Sequence, residues 1–148
     1  MIKELLKEDL NDEFFKVYYE GFLYHYKHRK DIFKYRTIDE LKEYVFKQLE
    51  QGIKFIGYYK EDELLGYYSY EIKEKLTRYI WIDELVVKEE YRGQGYGTIL
   101  MNNVKEIRDK ENASRIELNC WSFNEKAINL YKKIGYTEQR VILELKEE

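Results

Sequence analysis

Three glycines at alternate positions, Gly93, Gly95 and Gly97, separate an apolar run from a helical pattern, and this junction constrains the fold more than any other stretch. Upstream, residues 79–87 are apolar apart from Asp83 and Glu84 and rich in β-branched side chains, which predicts a buried strand. Downstream, Leu100, Val104 and Ile107 recur at i, i+4 and i+7, with Ile99 and Met101 widening the stripe. An amphipathic helix packed on the sheet is therefore expected after Gly97. In the turn between them, Arg92-Gly93-Gln94-Gly95-Tyr96-Gly97, missing Cβ atoms let the chain turn sharply and bring its N–H groups close to a ligand. The helix N-terminus adds partial positive charge there, so strand, glycine turn and helix form an anion cradle. The G-x-G-x-G spacing lacks the G-x-G-x-x-G step of a dinucleotide fold, and the absence of a Lys-Ser/Thr pair excludes a P-loop.

A length of 148 residues with 44% hydrophobic content suits one domain, residues 1–148, with a real core. The net charge of −3 argues against nucleic-acid binding, because no basic excess is available to neutralise phosphates. No apolar run approaches a membrane span, and the N-terminus lacks the hydrophobic core of a signal peptide. With Cys120 alone no internal disulfide is possible, so the simplest expectation is a cytoplasmic protein.

In chain order, residues 1–6 suit a short strand and residues 9–26 a helix, with Phe14, Tyr18 and Phe22 on one face as core packing. Residues 25–34, containing His25 and His28, lose periodicity and read as a loop. Thr37-Ile38-Asp39-Glu40 is a capping box, opening a helix in which Leu41, Val45 and Leu49 share a face and which Gly52 ends. Residues 53–59 and 64–72 read as a hairpin, followed by a charged turn and the strand at 79–87. Residues 115–121 suggest a further strand and residues 136–145 a last one. Between these, Ala127, Leu130, Tyr131 and Ile134 mark a helix opened by Asn124 and closed by Gly135.

Two motifs carry a family resemblance. The R-x-x-G-x-G run from Arg92 to Gly97, preceded by Tyr91, resembles the acetyl-CoA pyrophosphate loop of the GNAT N-acetyltransferase superfamily. Residues 124–136 are similar to its second signature, N-x-x-A-x-x-L-Y-x-x-x-G-F/Y. The resemblance implies an α/β (α+β) fold: a mixed, mostly antiparallel sheet of six to seven strands flanked by about four helices and splayed at the acetyl-CoA site. It also implies an acetyl-CoA-dependent N-acetyltransferase with acetyl-CoA as co-substrate, no metal, an amine acceptor and the possibility of a homodimer. Leu85, Val86 and Val87 would bind pantetheine. The pyrophosphate would lie on the N–H groups of Arg92, Gly93, Gln94, Gly95, Tyr96, Gly97 and Thr98. Asn124 would contact the coenzyme beside Ala127 and Tyr131, besides capping its helix.

Acetyl transfer to an amine needs a neutral nucleophile, a site for the developing oxyanion and a proton for the departing thiolate. No serine, cysteine or histidine arrangement suggests a covalent intermediate, which leaves direct attack in a ternary complex. Tyr131, a phenol with a reference pKa of about 10, is the expected general acid. Asp83 is preferred as base over Glu84, with loss of the amine proton to bulk water as the remaining option. Strict alternation puts Asp83, Leu85 and Val87 on one face and Glu84 on the other, unless a bulge intervenes. Glu71 is a further acidic candidate near the acceptor, Cys120 a small buried strand residue. A small cationic amine is the favoured acceptor, a protein N-terminus or lysine an alternative. A silent acyl-CoA-binding module would need the cradle but not Tyr131.

Overall fold

The computed structural model describes residues 1–147. β1 (Ile2–Leu5) leads through a 3-10 turn at Lys7–Asp9 into α1 (Asp12–His28), whose first turn is capped by Asn11 Oδ1 accepting from Phe14 N at 3.1 Å. α2 (Ile38–Glu50) opens on the expected capping box: Thr37 Oγ1 accepts from Glu40 N at 3.2 Å, and Thr37 N donates back to Glu40 Oε1 at 3.0 Å. β2 (Lys54–Lys60), β3 (Glu63–Lys75) and β4 (Thr77–Val87) then form an antiparallel meander. α3 (Tyr96–Lys110), β5 (Ile116–Leu118) and α4 (Glu125–Lys133) complete the order.

The sheet runs β1-β2-β3-β4-β5, all neighbours antiparallel except the parallel β4–β5 pair. Period-two alternation divides its side chains between two cores. Phe55 and Tyr67 face α1 and α2, where they join Phe14, Val17, Tyr18, Leu41 and Val45; Tyr68, Tyr70, Ile80 and Ile82 face α3 and α4, meeting Leu100, Met101, Val104 and Tyr131. The aromatic stripe of α1 is core at its N-terminal end, with Phe14 fully buried. Gly21 lets α1 ride close to β4, since a Cβ there would stand 3.1 Å from Val86 Cγ2.

Several expectations are corrected. β3 and β4 continue through the stretch read as a charged turn and reverse tightly at Leu76, whose φ is 63°. α1 extends through His28, beyond the predicted end. Ile99 is 38% exposed and does not widen the buried stripe of α3. Among the described residues the sheet has five strands, not six or seven, because residues 136–145 form none. β5 has only three residues and offers a short edge, while Arg29 holds Glu144 at 2.7 Å and draws the segment toward the end of α1. Its apolar side chains, Val141, Ile142, Leu143 and Leu145, consequently lie exposed.

Candidate active site

The site arises where two neighbouring strands part. β4 and β5 are in register only from Ile80↔Ile116 to Ile82↔Leu118. β4 then runs on to Val87 with no strand beside that edge among the described residues, while the chain after β5 turns away through Asn119, Cys120 and Trp121. The opening leads into a cavity of about 770 Å³ lined by Asp83, Glu84, Leu85 and Val86 of β4, by Tyr18 and Phe22 of α1, by Tyr44 and Gln48 of α2, and by Asn124, Ala127 and Tyr131. The predicted β4 and α4 residues therefore meet in one space. Val87 and residues 92–98 lie outside that lining, but the cradle packs on β4 and α4, two of the elements that frame it: a Cβ on Gly97 would come 2.9 Å from Leu130 Cδ2 and 4.0 Å from Val87 Cγ2.

The cradle has the predicted form. Gly93 and Gly95 adopt φ of 80° and 91°, the left-handed region open to glycine, and Gly95 is the N-cap of α3. Among the described residues, the N–H groups from Gly93 to Thr98 donate to no protein acceptor, and a Cβ on Gly93 or Gly95 would meet nothing within 4 Å. Free N–H donors at the start of a four-turn helix suit a diphosphate. Arg92 is committed to positioning the loop: its Nε donates to Val87 O at 3.0 Å. Tyr91 OH donates to the Glu63 carboxylate at 2.8 Å, and Lys88 pairs with Glu63 at 3.1 Å, fixing the approach to the turn.

On α4, Asn124 Oδ1 accepts from Ala127 N at 3.3 Å, the capping role expected of it. Tyr131, one turn past Ala127, is 9% exposed, and burial raises its phenol above the usual range, so that it remains protonated at neutral pH. Cys120 is half-buried and lies beyond the end of β5 rather than within a strand; it faces the same cavity, and burial raises its thiol pKa.

A β-bulge decides where the carboxylates go. Ser69 pairs with Glu84 but Tyr70 pairs with Ile82, leaving Asp83 as the extra residue. Ile82, Leu85 and Val87 pack toward α3, whereas Asp83 and Glu84 are both directed toward α1 and α2, where Tyr44 lies close enough to feel both charges. The nominal grouping of Asp83 with Leu85 and Val87 is thus overturned. Burial, then the neighbouring Glu71 carboxylate, pushes Asp83 up to about 7. Burial, then the Asp83 charge, raises Glu84 to about 7, although Tyr67 OH donates to its Oε2 at 3.5 Å.

His25 lines the cavity, but its Nδ1 donates to Gly21 O at 2.8 Å, a helix-end bond. Residues that pattern reading did not single out include Gln48, Tyr44 and Trp121. For Gln48 a signal existed: it follows Leu41 by seven positions and Val45 by three, on the buried stripe.

The family described as "Acetyltransferase (GNAT) family" matches residues 5–136. A Sus scrofa protein named thialysine N-epsilon-acetyltransferase is 33% identical over 85 residues, 57% of this chain and 46% of that protein. An N-alpha-acetyltransferase of Sulfurisphaera tokodaii is 31% identical over 111 residues, 73% of this chain and 66% of its own length. The chain thus spans less than two thirds of these curated relatives. Among solved structures, a tetramutant of the BH1408 protein from Bacillus halodurans superposes with a TM-score of 0.85 over 99% of both chains at 23% identity, a likeness of fold.

Proposed function

The chain belongs to the GNAT acetyltransferase family, and from that premise we propose that it transfers the acetyl group of acetyl-CoA to a primary amine, by direct attack in a ternary complex. One observation carries the reading: the parting of β4 from β5 brings a protonated, buried phenol and two carboxylates to a single cavity beside the free N–H cradle. The donor supplies an activated acyl group as its thioester. The residues present fit it. The N–H groups from Gly93 to Thr98 would hold the diphosphate, with Gln94 at the loop entrance, and the unpaired edge of β4 at Leu85–Val87 would hold the pantetheine arm by backbone hydrogen bonds.

The remaining chemistry falls to side chains of this chain. Asp83 accepts the proton that frees the amine lone pair, Glu84 adds negative charge beside it, and Tyr131 donates its phenolic proton to the departing sulfur. The amine nitrogen gains a bond to the acyl carbon as the carbon–sulfur bond breaks, the second proton it then sheds restores the Tyr131 phenol, and a β4 backbone N–H polarises the carbonyl oxygen. Carboxylates poised near neutrality, and without an ion pair among the described residues, favour a small cationic amine as acceptor. The relatives' names, one for a side-chain amine of an amino acid and one for an α-amine, are compatible with acceptors of that kind and with a peptide amine.

The test is thiol release from acetyl-CoA across diamines, aminoglycosides, amino acids with side-chain amines, and short peptides. Release with one amine class and its acetylated product by mass spectrometry support the reading. Binding of acetyl-CoA without release with any amine contradicts it and leaves an acyl-CoA-binding module.

A further inference from the structure

Three residues that line the cavity each carry a buried oxygen with no hydrogen-bond partner among the described residues: Asp83 Oδ2, Glu84 Oε1 and Gln48 Oε1. They belong to two elements that face each other. Asp83 and Glu84 leave β4 at its bulge, and Gln48 leaves α2 one turn after Tyr44, the residue that senses both carboxylates. Gln48 is 8% exposed and shares its stripe with Leu41 and Val45. A leucine would fill that position at no polar cost, whereas a buried acceptor left without a donor costs roughly 1–3 kcal/mol. What this cluster lacks is a group with positive charge and several N–H donors. A primary ammonium has three; an N-methylated ammonium has two, and an alcohol has one and no charge.

We propose that Asp83 Oδ2, Glu84 Oε1 and Gln48 Oε1 together receive the ammonium group of the acceptor, and that Gln48 makes the site select unsubstituted primary amines. The proposal rests on the reading of this cavity as the acceptor site. The two carboxylates supply charge and would attract any cation; Gln48 supplies none. Its amide oxygen counts N–H groups, since an N-methyl ammonium leaves one of the three oxygens desolvated and unmatched.

The experiment measures binding of n-butylamine and N-methylbutylamine to the CoA-saturated protein by calorimetry, with thiol release from acetyl-CoA followed in parallel. Wild type binds the primary amine roughly tenfold or more tightly than its N-methyl analogue, the equivalent of one lost hydrogen bond to a buried acceptor. In Gln48→Leu and Gln48→Met, which keep the volume, the primary amine weakens by a similar factor and the ratio falls toward one, because no orphan amide oxygen remains. An unchanged acetyl-CoA-induced shift of the melting temperature certifies that each variant is folded. Selectivity that persists in both variants, or no saturable amine binding to wild type, overturns the proposal. Gln48-dependent amine binding without thiol release from wild type supports the ammonium site and contradicts acetyl transfer, so the two failures are distinguishable.

Discussion

Replacing Glu84 with Gln tests the electrostatics of the site in isolation from turnover. The Glu84 carboxyl is raised from 4.5 to about 7 by burial and by Asp83. A carboxyl whose pKa is higher folded than unfolded binds more protons in the native state between those two values. Stability is therefore fully retained below about pH 4.5, falls as pH rises through about 7, and is constant above it. The difference of about 2.5 pH units corresponds to at most about 3 kcal/mol. Glutamine has the shape of the protonated acid but never ionises. Glu84→Gln should match wild type at about pH 4 and exceed it by up to about 3 kcal/mol at pH 8, a gain of several degrees for a domain of this size. Urea or thermal unfolding at closely spaced pH values reads the difference directly. A gap between variant and wild type that does not change from pH 5 to 8 would refute the claim that Glu84 is held near neutrality by its surroundings. The same variant should lose activity on a cationic acceptor, a site residue kept at a cost in stability.

Three further outcomes follow from the geometry. Tyr131→Phe should reduce turnover by about 10²-fold while leaving acetyl-CoA affinity nearly intact; an unchanged rate removes its acid role. Gly95→Val introduces a β-branched residue at φ 91° in the cradle. It should abolish acetyl-CoA binding and cost about 1–3 kcal/mol of stability from backbone strain, and retained affinity would put the diphosphate elsewhere. In Asp83→Asn the rise of kcat/KM through about pH 7 should shrink, with activity recovering only toward the amine's own proton loss; a profile parallel to wild type assigns the base to another group.

The cradle, the capping box at Thr37 and the α4 signature were legible because each is a local matter: glycine φ, an orphan N–H and a 3.6-residue period leave traces within a few positions. The bulge at Asp83 leaves none, because inserting one residue is a property of the β3–β4 pair and not of either strand's composition. Alternation alone therefore divided two carboxylates that the fold brings together. Gln48 was hidden for the opposite reason: its period is helical but its side chain is polar, and only the cavity behind α2 distinguishes it from a solvated glutamine. Residues 136–145 carry the β-branched and apolar run Val141-Ile142-Leu143 of a strand, yet pairing also requires an edge, and three residues of β5 supply too little of one. The turn joining β2 and β3 succeeded without glycine, Glu61 and Asp62 taking φ of 51° and 66°.

The most direct test of the central claim is thermal unfolding with and without acetyl-CoA. A ligand present at about 100 times its dissociation constant adds roughly 2.7 kcal/mol. The melting temperature of wild type should accordingly rise by several degrees, and that of Gly95→Val should not respond. A wild-type melting temperature that stays fixed at saturating acetyl-CoA would contradict the assignment of the Gly93–Thr98 cradle and of the cavity beside it to acetyl transfer.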